Sequence, residues 1–141
     1  MVRWYDDNAD QYAERTWGLD LFPGLESDLT DFCASFGLSL PALDVGSGGG
    51  RDAEYMARAG KRVLCLDTSE ALLDIVRRRC SSTSVATVRA DMLEIPLKEN
   101  SVGGVWASGS LLHLKREQIP MALEEISRVL VPGGPLGISM K

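Results

Sequence analysis

The chain has few of the residues on which disulfide frameworks and metal sites depend. Its 141 residues include three cysteines and one histidine. The cysteines, Cys33, Cys65 and Cys80, are odd in number, lie far apart, and none has CxxC spacing. These counts exclude a two-histidine metal site and argue against a disulfide framework or a zinc knuckle. We therefore expect no metal, and a cytoplasmic location, where thiols stay reduced.

An excess of positive charge and a long apolar run are also missing. Lysine and arginine number 15 against 20 aspartates and glutamates, which leaves a net charge of −5. Binding to a phosphate backbone needs a positive surface, so this balance argues against a nucleic-acid partner. No stretch approaches the ~20 apolar residues of a membrane span, and the first residues contain no apolar signal core. We expect neither a nucleic acid nor a membrane as a partner.

The order of apolar segments predicts an α/β domain. Hydrophobic residues make up 45% of the chain and charged residues 25%, and the length suits one domain over residues 1–141. Apolar runs of strand length alternate with amphipathic segments of helix length, which indicates βαβ units and a parallel sheet. The predicted strands are 42–45, 62–66, 85–89, 104–107 and 136–140. The predicted helices are 4–16, 25–36, 51–59, a helix capped by Ser69, and 118–130. For the last helix, the predicted apolar face is Ile119, Leu123, Ile126 and Leu130.

The most informative segment is LDVGSGGGRD at 43–52, where the first strand enters a turn that opens a helix. Gly46 permits a sharp reversal, and Gly48 and Gly50 lack side chains, so a ligand can lie against backbone N–H groups. Asp67 ends the second strand, 21 residues after Gly46. A carboxylate at that position holds ribose hydroxyls in open α/β folds. The loop and the carboxylate together predict an adenosine site at the carboxyl edge of the sheet.

A dinucleotide is the less favoured adenosine ligand. The fingerprint G-x-G-x-x-G starting at Gly46 would need a third glycine where this sequence has Arg51. That long side chain would crowd the close helix–strand contact of a pyrophosphate site. The remaining residues are also too few for a second mononucleotide-binding half. A fragment of an NAD-dependent oxidoreductase therefore stays as a weaker alternative.

Five motifs in order resemble those of class I S-adenosylmethionine-dependent methyltransferases, over essentially the whole chain. They are LDVGSGGG at 43–50, VLCLD at 63–67, RADM at 89–92, VWASGSLLHL at 105–114 and RVLVPGG at 128–134. The opening YDxxAxxY at 5–12 resembles the lid of small-molecule members. The resemblance implies a Rossmann-like, doubly wound parallel sheet of about five strands in the order 3-2-1-4-5. It also implies that residues 1–37 form an N-terminal helical lid.

The same resemblance implies S-adenosyl-L-methionine as cofactor, S-adenosyl-L-homocysteine as product, and methyl transfer to an O, N, C or S atom of a small molecule. Asp44 is expected to orient the glycine loop by accepting backbone N–H bonds. Arg51 is expected to reach the cofactor carboxylate, and the alternative is a purely structural pairing of Arg51 with Asp52. Asp67 is expected to bind ribose, and Asp91 with Met92 to frame adenine. The full expected cofactor-binding set is Tyr12, Asp44, Gly46, Ser47, Gly48, Gly50, Arg51, Asp67, Thr68, Asp91, Met92, Ala107 and Leu112.

His113 is the candidate catalytic residue, because histidine is the side chain that exchanges protons near neutral pH. It follows the fourth strand, where the family's substrates meet the methyl group, so it could take a proton from an oxygen or nitrogen nucleophile. The alternative is a histidine that closes the loop through a hydrogen bond.

In the family, the sheet continues into two further strands, whereas this sequence stops at Lys141. We therefore expect a sheet truncated before strands 6 and 7. This favours a second alternative, a binding or regulatory module with impaired catalysis. The fifth strand would also lack a neighbour along one edge, which predicts a homodimer formed through that edge.

Overall fold

The computed structural model describes residues 2–80 and 84–139, and its centre is a parallel sheet. Within these residues, five strands pair in the order β3-β2-β1-β4-β5. The strands are β1 Ala42–Val45, β2 Val63–Asp67, β3 Val85–Arg89, β4 Gly104–Ser108 and β5 Leu136–Ser139. The predicted fold class and strand order are confirmed. Position 140 of the predicted fifth strand lies outside the described residues.

Five α-helices connect and cover these strands in the described part of the chain. They are α1 Val2–Thr16, α2 Leu25–Ala34, α3 Arg51–Arg58, α4 Glu70–Arg79 and α5 Ile119–Val129. Single 3₁₀ turns occur at Leu19–Leu21, Leu111–His113 and Arg116–Gln118. Ser69 caps α4 as predicted, because its Oγ accepts a hydrogen bond from the backbone N–H of Leu72. None of the helices in the described ranges is long and apolar enough to cross a membrane.

The pleat of the strands divides the core into two layers, one on each face of the sheet. On one face, Ala42, Val63 and Cys65 pack with residues of α2, α3 and α4. On the other face, Leu43 and Val45 pack with residues of α5. Neighbouring residues of a strand point to opposite faces of the sheet. Short strands such as β1 and β4, which have almost no exposed residues, therefore contribute buried side chains to both layers of the core.

The helix α1 packs on α4 rather than on the sheet. A third apolar cluster joins Ala9 and Ala13 of α1 to Leu72 and Ile75 of α4. The small alanine side chains let the two helices approach closely. This packing holds α1 over the carboxyl edge of β1 and β2.

The predicted apolar face of α5 is wrong at Leu123, which is 37% exposed. The buried face consists of Ala122, Ile126 and Val129, at i, i+4 and i+7. A pattern read from large side chains selects Leu123, but the small Ala122 is the residue that lies against the sheet. Leu123 follows it by one position and is therefore turned away.

The outer edge of β5 has no strand beside it within the described residues. Its backbone pairs on one side with β4. Leu136 is 40% exposed and Ile138 is 43% exposed. β5 thus combines an unpaired backbone edge with accessible apolar side chains.

The revised face of α5 gives a direct stability prediction. Replacing the fully buried Ile126 with alanine should lower the free energy of unfolding by about 2–5 kcal/mol, since it leaves a cavity. The matched change Leu123→Ala should cost less than about 1 kcal/mol, since this side chain is partly in solvent. Urea unfolding of both variants measures the two changes in unfolding free energy. Equal decreases for the two variants would show that Leu123 belongs to the buried face, as the sequence predicts.

Candidate functional site

A cavity of about 260 Å³ opens at the carboxyl edge of the sheet. The turns after β1, β2, β3 and β4 form its floor, and α1 covers it. This is the position at which open α/β sheets bind ligands, beside the point where the strand order reverses. Its lining is Val2, Tyr5, Tyr12, Gly46, Gly48, Leu66, Asp67, Thr68, Leu72, Ala90, Asp91, Met92, Leu93, Ser108, Gly109, Ser110, His113, Leu114 and Gln118.

The structure brings many of the predicted site residues together in this cavity, but not all of them. Those that line it are Tyr12, Gly46, Gly48, Asp67, Thr68, Asp91, Met92 and His113. Those that do not line it are Asp44, Ser47, Gly50, Arg51, Ala107 and Leu112. For Asp44, Gly50, Arg51, Ala107 and Leu112, contacts elsewhere in the fold explain why these residues do not line the cavity.

The three predicted loop glycines have positive φ, but they serve different neighbours. At Gly46, an added Cβ would lie 2.3 Å from Cβ of Ser110, so only glycine lets the loop after β4 approach. At Gly50, an added Cβ would lie 3.1 Å from atoms of Val76 and Cys80. Gly50 therefore allows the start of α3 to pack against α4, away from the cavity.

The carboxylate of Asp67 organises the floor of the cavity. Its Oδ2 accepts a hydrogen bond from the N–H of Gly48 at 3.0 Å, and its Oδ1 accepts one from the N–H of Ser69 at 2.9 Å. Burial raises the pKa of Asp67, and these N–H donors oppose the shift. Asp67 thus joins the glycine loop after β1 to the start of α4.

Asp44 does not have the role expected from the sequence. Among the described residues, no N–H of the glycine loop donates to it, and its Oδ2 is buried without a partner. Burial, followed by the charge of Asp52, raises the pKa of Asp44 well above its ordinary value of 3.8. The N–H of Gly48 in this loop donates to Asp67 instead.

Arg51 is turned away from the cavity because Asp52 holds it. The guanidinium donates to Oδ1 of Asp52 at 2.7 Å and to the carbonyl of Thr16 at 3.1 Å. It also lies 4.4 Å from the ring centre of Phe22. Trp106 completes the group, since its Nε1–H donates to Oδ2 of Asp52 at 2.8 Å. These contacts link α3 to the end of α1, so Arg51 does not extend toward a ligand in this structure.

Two expected site residues, Ala107 in β4 and Leu112 in the turn after it, also lie outside the cavity lining. Ala107 is fully buried and packs in the layer under α5, so its side chain cannot reach the cavity. Leu112 is 41% exposed, and its neighbour Leu111 occupies the buried position. The 3₁₀ turn at Leu111–His113 produces this arrangement, because it directs consecutive side chains to different sides.

Tyr5 and Ser110 are cavity residues that the sequence analysis missed. The hydroxyl of Tyr5 lies 3.1 Å from Nε2 of His113, which joins α1 to the turn after β4 across the cavity. The ring of Tyr5 also meets the rings of Tyr12 and His113 edge to face. Tyr5 precedes Tyr12 by seven residues in the predicted helix 4–16, so helical periodicity puts both on one face and could have found Tyr5. Ser110 carries no comparable signal in the sequence.

A family model described as a methyltransferase domain matches residues 42–134. The chain belongs to the class I S-adenosylmethionine-dependent methyltransferases. The matched range runs from the first residue of β1 to the turn before β5. It therefore contains the glycine loop, Asp67 and the turn after β4.

Individual relatives agree with the family. The chain is 35% identical over 103 residues to the methyltransferase GfsG of Streptomyces halstedii, covering 69% of this chain and 36% of that protein. It is 33% identical over 97 residues to a demethylmenaquinone methyltransferase of Clavibacter sepedonicus, covering 68% of this chain and 39% of that protein. The methyltransferase chain described here thus spans less than half the length of these two relatives.

Two solved structures share the fold. A Burkholderia thailandensis 1,6-didemethyltoxoflavin-N1-methyltransferase with bound S-adenosylhomocysteine superposes with a TM-score of 0.76 at 23% identity, covering 97% of this chain and 59% of that chain. The [4+2]-cyclase SpnF superposes with a TM-score of 0.71 at 30% identity, covering 81% of this chain and 43% of that chain.

The unpartnered carboxyl of Asp44 gives a prediction on pH and stability. Because its pKa is raised in the folded state, Asp44 opposes folding increasingly as the pH rises from near 3.8 through the folded-state value. Asp44→Asn, which mimics the protonated acid, should therefore raise the free energy of unfolding at pH 7 by about 1–3 kcal/mol. The gain should disappear below the unfolded-state pKa, where Asp44 is protonated in both states.

Thermal unfolding of Asp44→Asn between acid and neutral pH measures this effect. Asp31→Asn, an exposed aspartate on α2, serves as the matched control and should change little. A lower stability of Asp44→Asn at pH 7 would show that the carboxylate is favourably bound.

Proposed function

We propose that this chain binds S-adenosylmethionine in the cavity at the carboxyl edge of its sheet and transfers the methyl group to a small molecule. The observation that carries this proposal is the meeting of the glycine loop and the Asp67 carboxylate in one cavity of a methyltransferase domain. A glycine turn gives close access to backbone N–H groups, and a buried carboxylate suits paired ribose hydroxyls.

The lining residues fit the parts of this cofactor. Each oxygen of Asp67 accepts one N–H and has a further lone pair, so both can also accept from ribose hydroxyls. Asp91 and Met92, at the end of β3, suit the exocyclic amine and the ring face of adenine. Tyr12 faces Gly48, since a Cβ there would lie 3.4 Å from its Cε1, and so encloses the methionine part.

The bound sulfonium supplies an electrophilic methyl group, so the chain's own contribution is mainly to hold the acceptor in line with it. Such orientation can contribute ~7–11 kcal/mol. As the new bond to the methyl carbon forms and the carbon–sulfur bond breaks, a protonated acceptor must release its proton. His113 is the group to receive it. The proton has two routes to Nε2: through the Tyr5 hydroxyl, or directly once the Tyr5 bond is exchanged for one to the acceptor.

We assign α1 the role of a lid over this site. Tyr5 contacts His113 on one side of the cavity. On the other side, Asp6 accepts hydrogen bonds from the Ser69 hydroxyl at 2.6 Å and the Ala71 N–H at 3.3 Å. Residues on α1 thus close both ends of the opening, which supports the α1 part of the lid predicted over 1–37. The helix α2 lies in the core layer against the sheet, and none of its residues lines the cavity.

A second candidate function is use of the same fold without methyl transfer. SpnF supports it, because a protein 30% identical to this chain over its aligned part is named for a cyclase activity. Binding of S-adenosylhomocysteine without turnover of the methyl donor against small-molecule pools would favour this candidate. Binding of NAD in its place would favour the oxidoreductase alternative.

The assignment of Asp67 can be tested by calorimetry with S-adenosylhomocysteine. Asp67→Ala should weaken binding at least about tenfold, because hydrogen bonds to a charged group contribute ~1.5–3 kcal/mol each. Asp74→Ala on α4, whose carboxylate is exposed and pairs with Arg77, should leave the affinity unchanged. A folded Asp67→Ala variant with undiminished affinity would remove Asp67 from the site.

We also propose that two copies associate through the edge of β5. Within the described residues the outer edge of β5 has no paired strand, and the side chains of Leu136 and Ile138 are exposed, which supports this proposal. Sedimentation at micromolar concentration should detect a dimer, and Ile138→Lys should dissociate it. Met121→Lys, at another exposed apolar position, should not. A monomeric wild-type chain would contradict the proposal.

A further inference from the structure

The sheet order divides the cavity into two halves with different chemistry. The cofactor half lies at the ends of β1, β2 and β3 and contains the glycine loop, Asp67 and Asp91. The β4 half lies on the opposite side of β1, between the turn after β4 and the start of α1. Its lining is Val2, Tyr5, Ser108, Gly109, Ser110, His113, Leu114 and Gln118.

The β4 half carries no permanent charge among its described lining residues. Both carboxylates of the cavity belong to the cofactor half, and no lysine or arginine lines either half. Lys115 and Arg116, which follow the turn, are exposed and outside the lining. A carboxylate or phosphate in the β4 half would therefore lose part of its hydration without gaining a cation, which is unfavourable.

The β4 half offers instead an aromatic wall. The ring of Tyr5 stands edge to face with Tyr12 at 5.1 Å and with His113 at 5.8 Å between ring centres. Val2 and Leu114 add apolar surface beside it. Such a wall favours a flat, apolar ring over a flexible polar chain.

The hydrogen-bonding groups that a ligand can reach on this wall are neutral. The Oγ of Ser110 is not one of them, because it has almost no accessible surface and the side chain packs against Gly46. Gln118 uses its Oε1 for the N–H of Lys115 and keeps its two N–H donors.

In this family the methyl acceptor lies beside the turn after the fourth strand, and we infer that the acceptor taken by the β4 half is a neutral aromatic compound bearing a hydroxyl or amino group. The β4 half excludes compounds whose carboxylate or phosphate would lie within it. This inference rests on the proposed methyl transfer and adds the class of substrate to it. The reacting hydroxyl or amine lies toward Tyr5 and His113, and the ring lies against Tyr5 and Leu114.

Binding of a matched pair of phenols tests the inference. The chain is saturated with S-adenosylhomocysteine and titrated by calorimetry with 4-hydroxybenzamide and with 4-hydroxybenzoate, which differ in charge but hardly in shape. The neutral amide should bind, and the anionic benzoate should bind at least about tenfold more weakly. Equal or tighter binding of the benzoate, or binding of neither at millimolar concentration, would overturn the inference.

The saturation step separates this inference from the proposed function. Failure of S-adenosylhomocysteine to bind would contradict the cofactor assignment. Normal binding of S-adenosylhomocysteine with the wrong order of the two phenols would contradict the acceptor class alone.

A charge introduced into the β4 half should reverse the preference. Gln118→Lys places a cation in the lining, so the benzoate should gain at least about tenfold relative to the amide. Gln11→Lys adds the same charge at an exposed position on α1 outside the cavity and should leave the ratio unchanged. Both variants should keep the wild-type affinity for S-adenosylhomocysteine. An unchanged ratio in a folded Gln118→Lys variant would show that the phenols bind elsewhere.

Discussion

The carboxylate of Asp67 is the interaction on which the site depends. Its two oxygens accept N–H groups from Gly48 and Ser69, which belong to turns after two different strands. The two donors hold the glycine loop and the start of α4 in one arrangement. Ser69 then donates its hydroxyl to Asp6, so the same chain of contacts reaches α1. One half-buried carboxylate thus connects the floor of the cavity to its cover, and backbone N–H groups replace part of its hydration.

The buried side-chain cluster around Asp52 stabilises the fold and does not contact the cavity. Arg51 and Trp106 both donate to this carboxylate, and Arg51 also binds the carbonyl of Thr16. These contacts hold α3, β4 and the end of α1 together behind the glycine loop. Breaking such a group by removing one partner is costly, because the other charge stays buried. The glycine loop is therefore held on the α3 side by the ion pair of Arg51 with Asp52 and on the cavity side by its hydrogen bond to Asp67.

The sheet could be predicted from the sequence because its signals are local. Each signal is a short stretch of sequence: an apolar run of strand length, a glycine turn, or a carboxylate at the end of a strand such as Asp67. Local backbone geometry determines which residue types occur there, so the pattern is visible in adjacent residues. The role of Asp44 could not be predicted in the same way, and for Arg51 the sequence left two roles open, of which the structure shows the pairing with Asp52. Asp44 lies one residue before the end of β1, so the pleat turns it into the layer under α3, next to Asp52. Arg51 is followed directly by a buried acid, and the nearer partner holds its guanidinium.

The same distinction separates the two halves of the cavity. Strand ends and glycine turns build the cofactor half, so short motifs identify it. The β4 half is assembled from a 3₁₀ turn and from α1, whose residues are more than a hundred positions apart in the sequence, as Tyr5 and His113 are. No local pattern encodes such a pair, and each residue by itself is compatible with packing alone. The β4 half of the cavity therefore depends on helix placement. That placement depends on the alanine contacts of α1 with α4 and on the hydrogen bonds from Ser69 and Ala71 to Asp6.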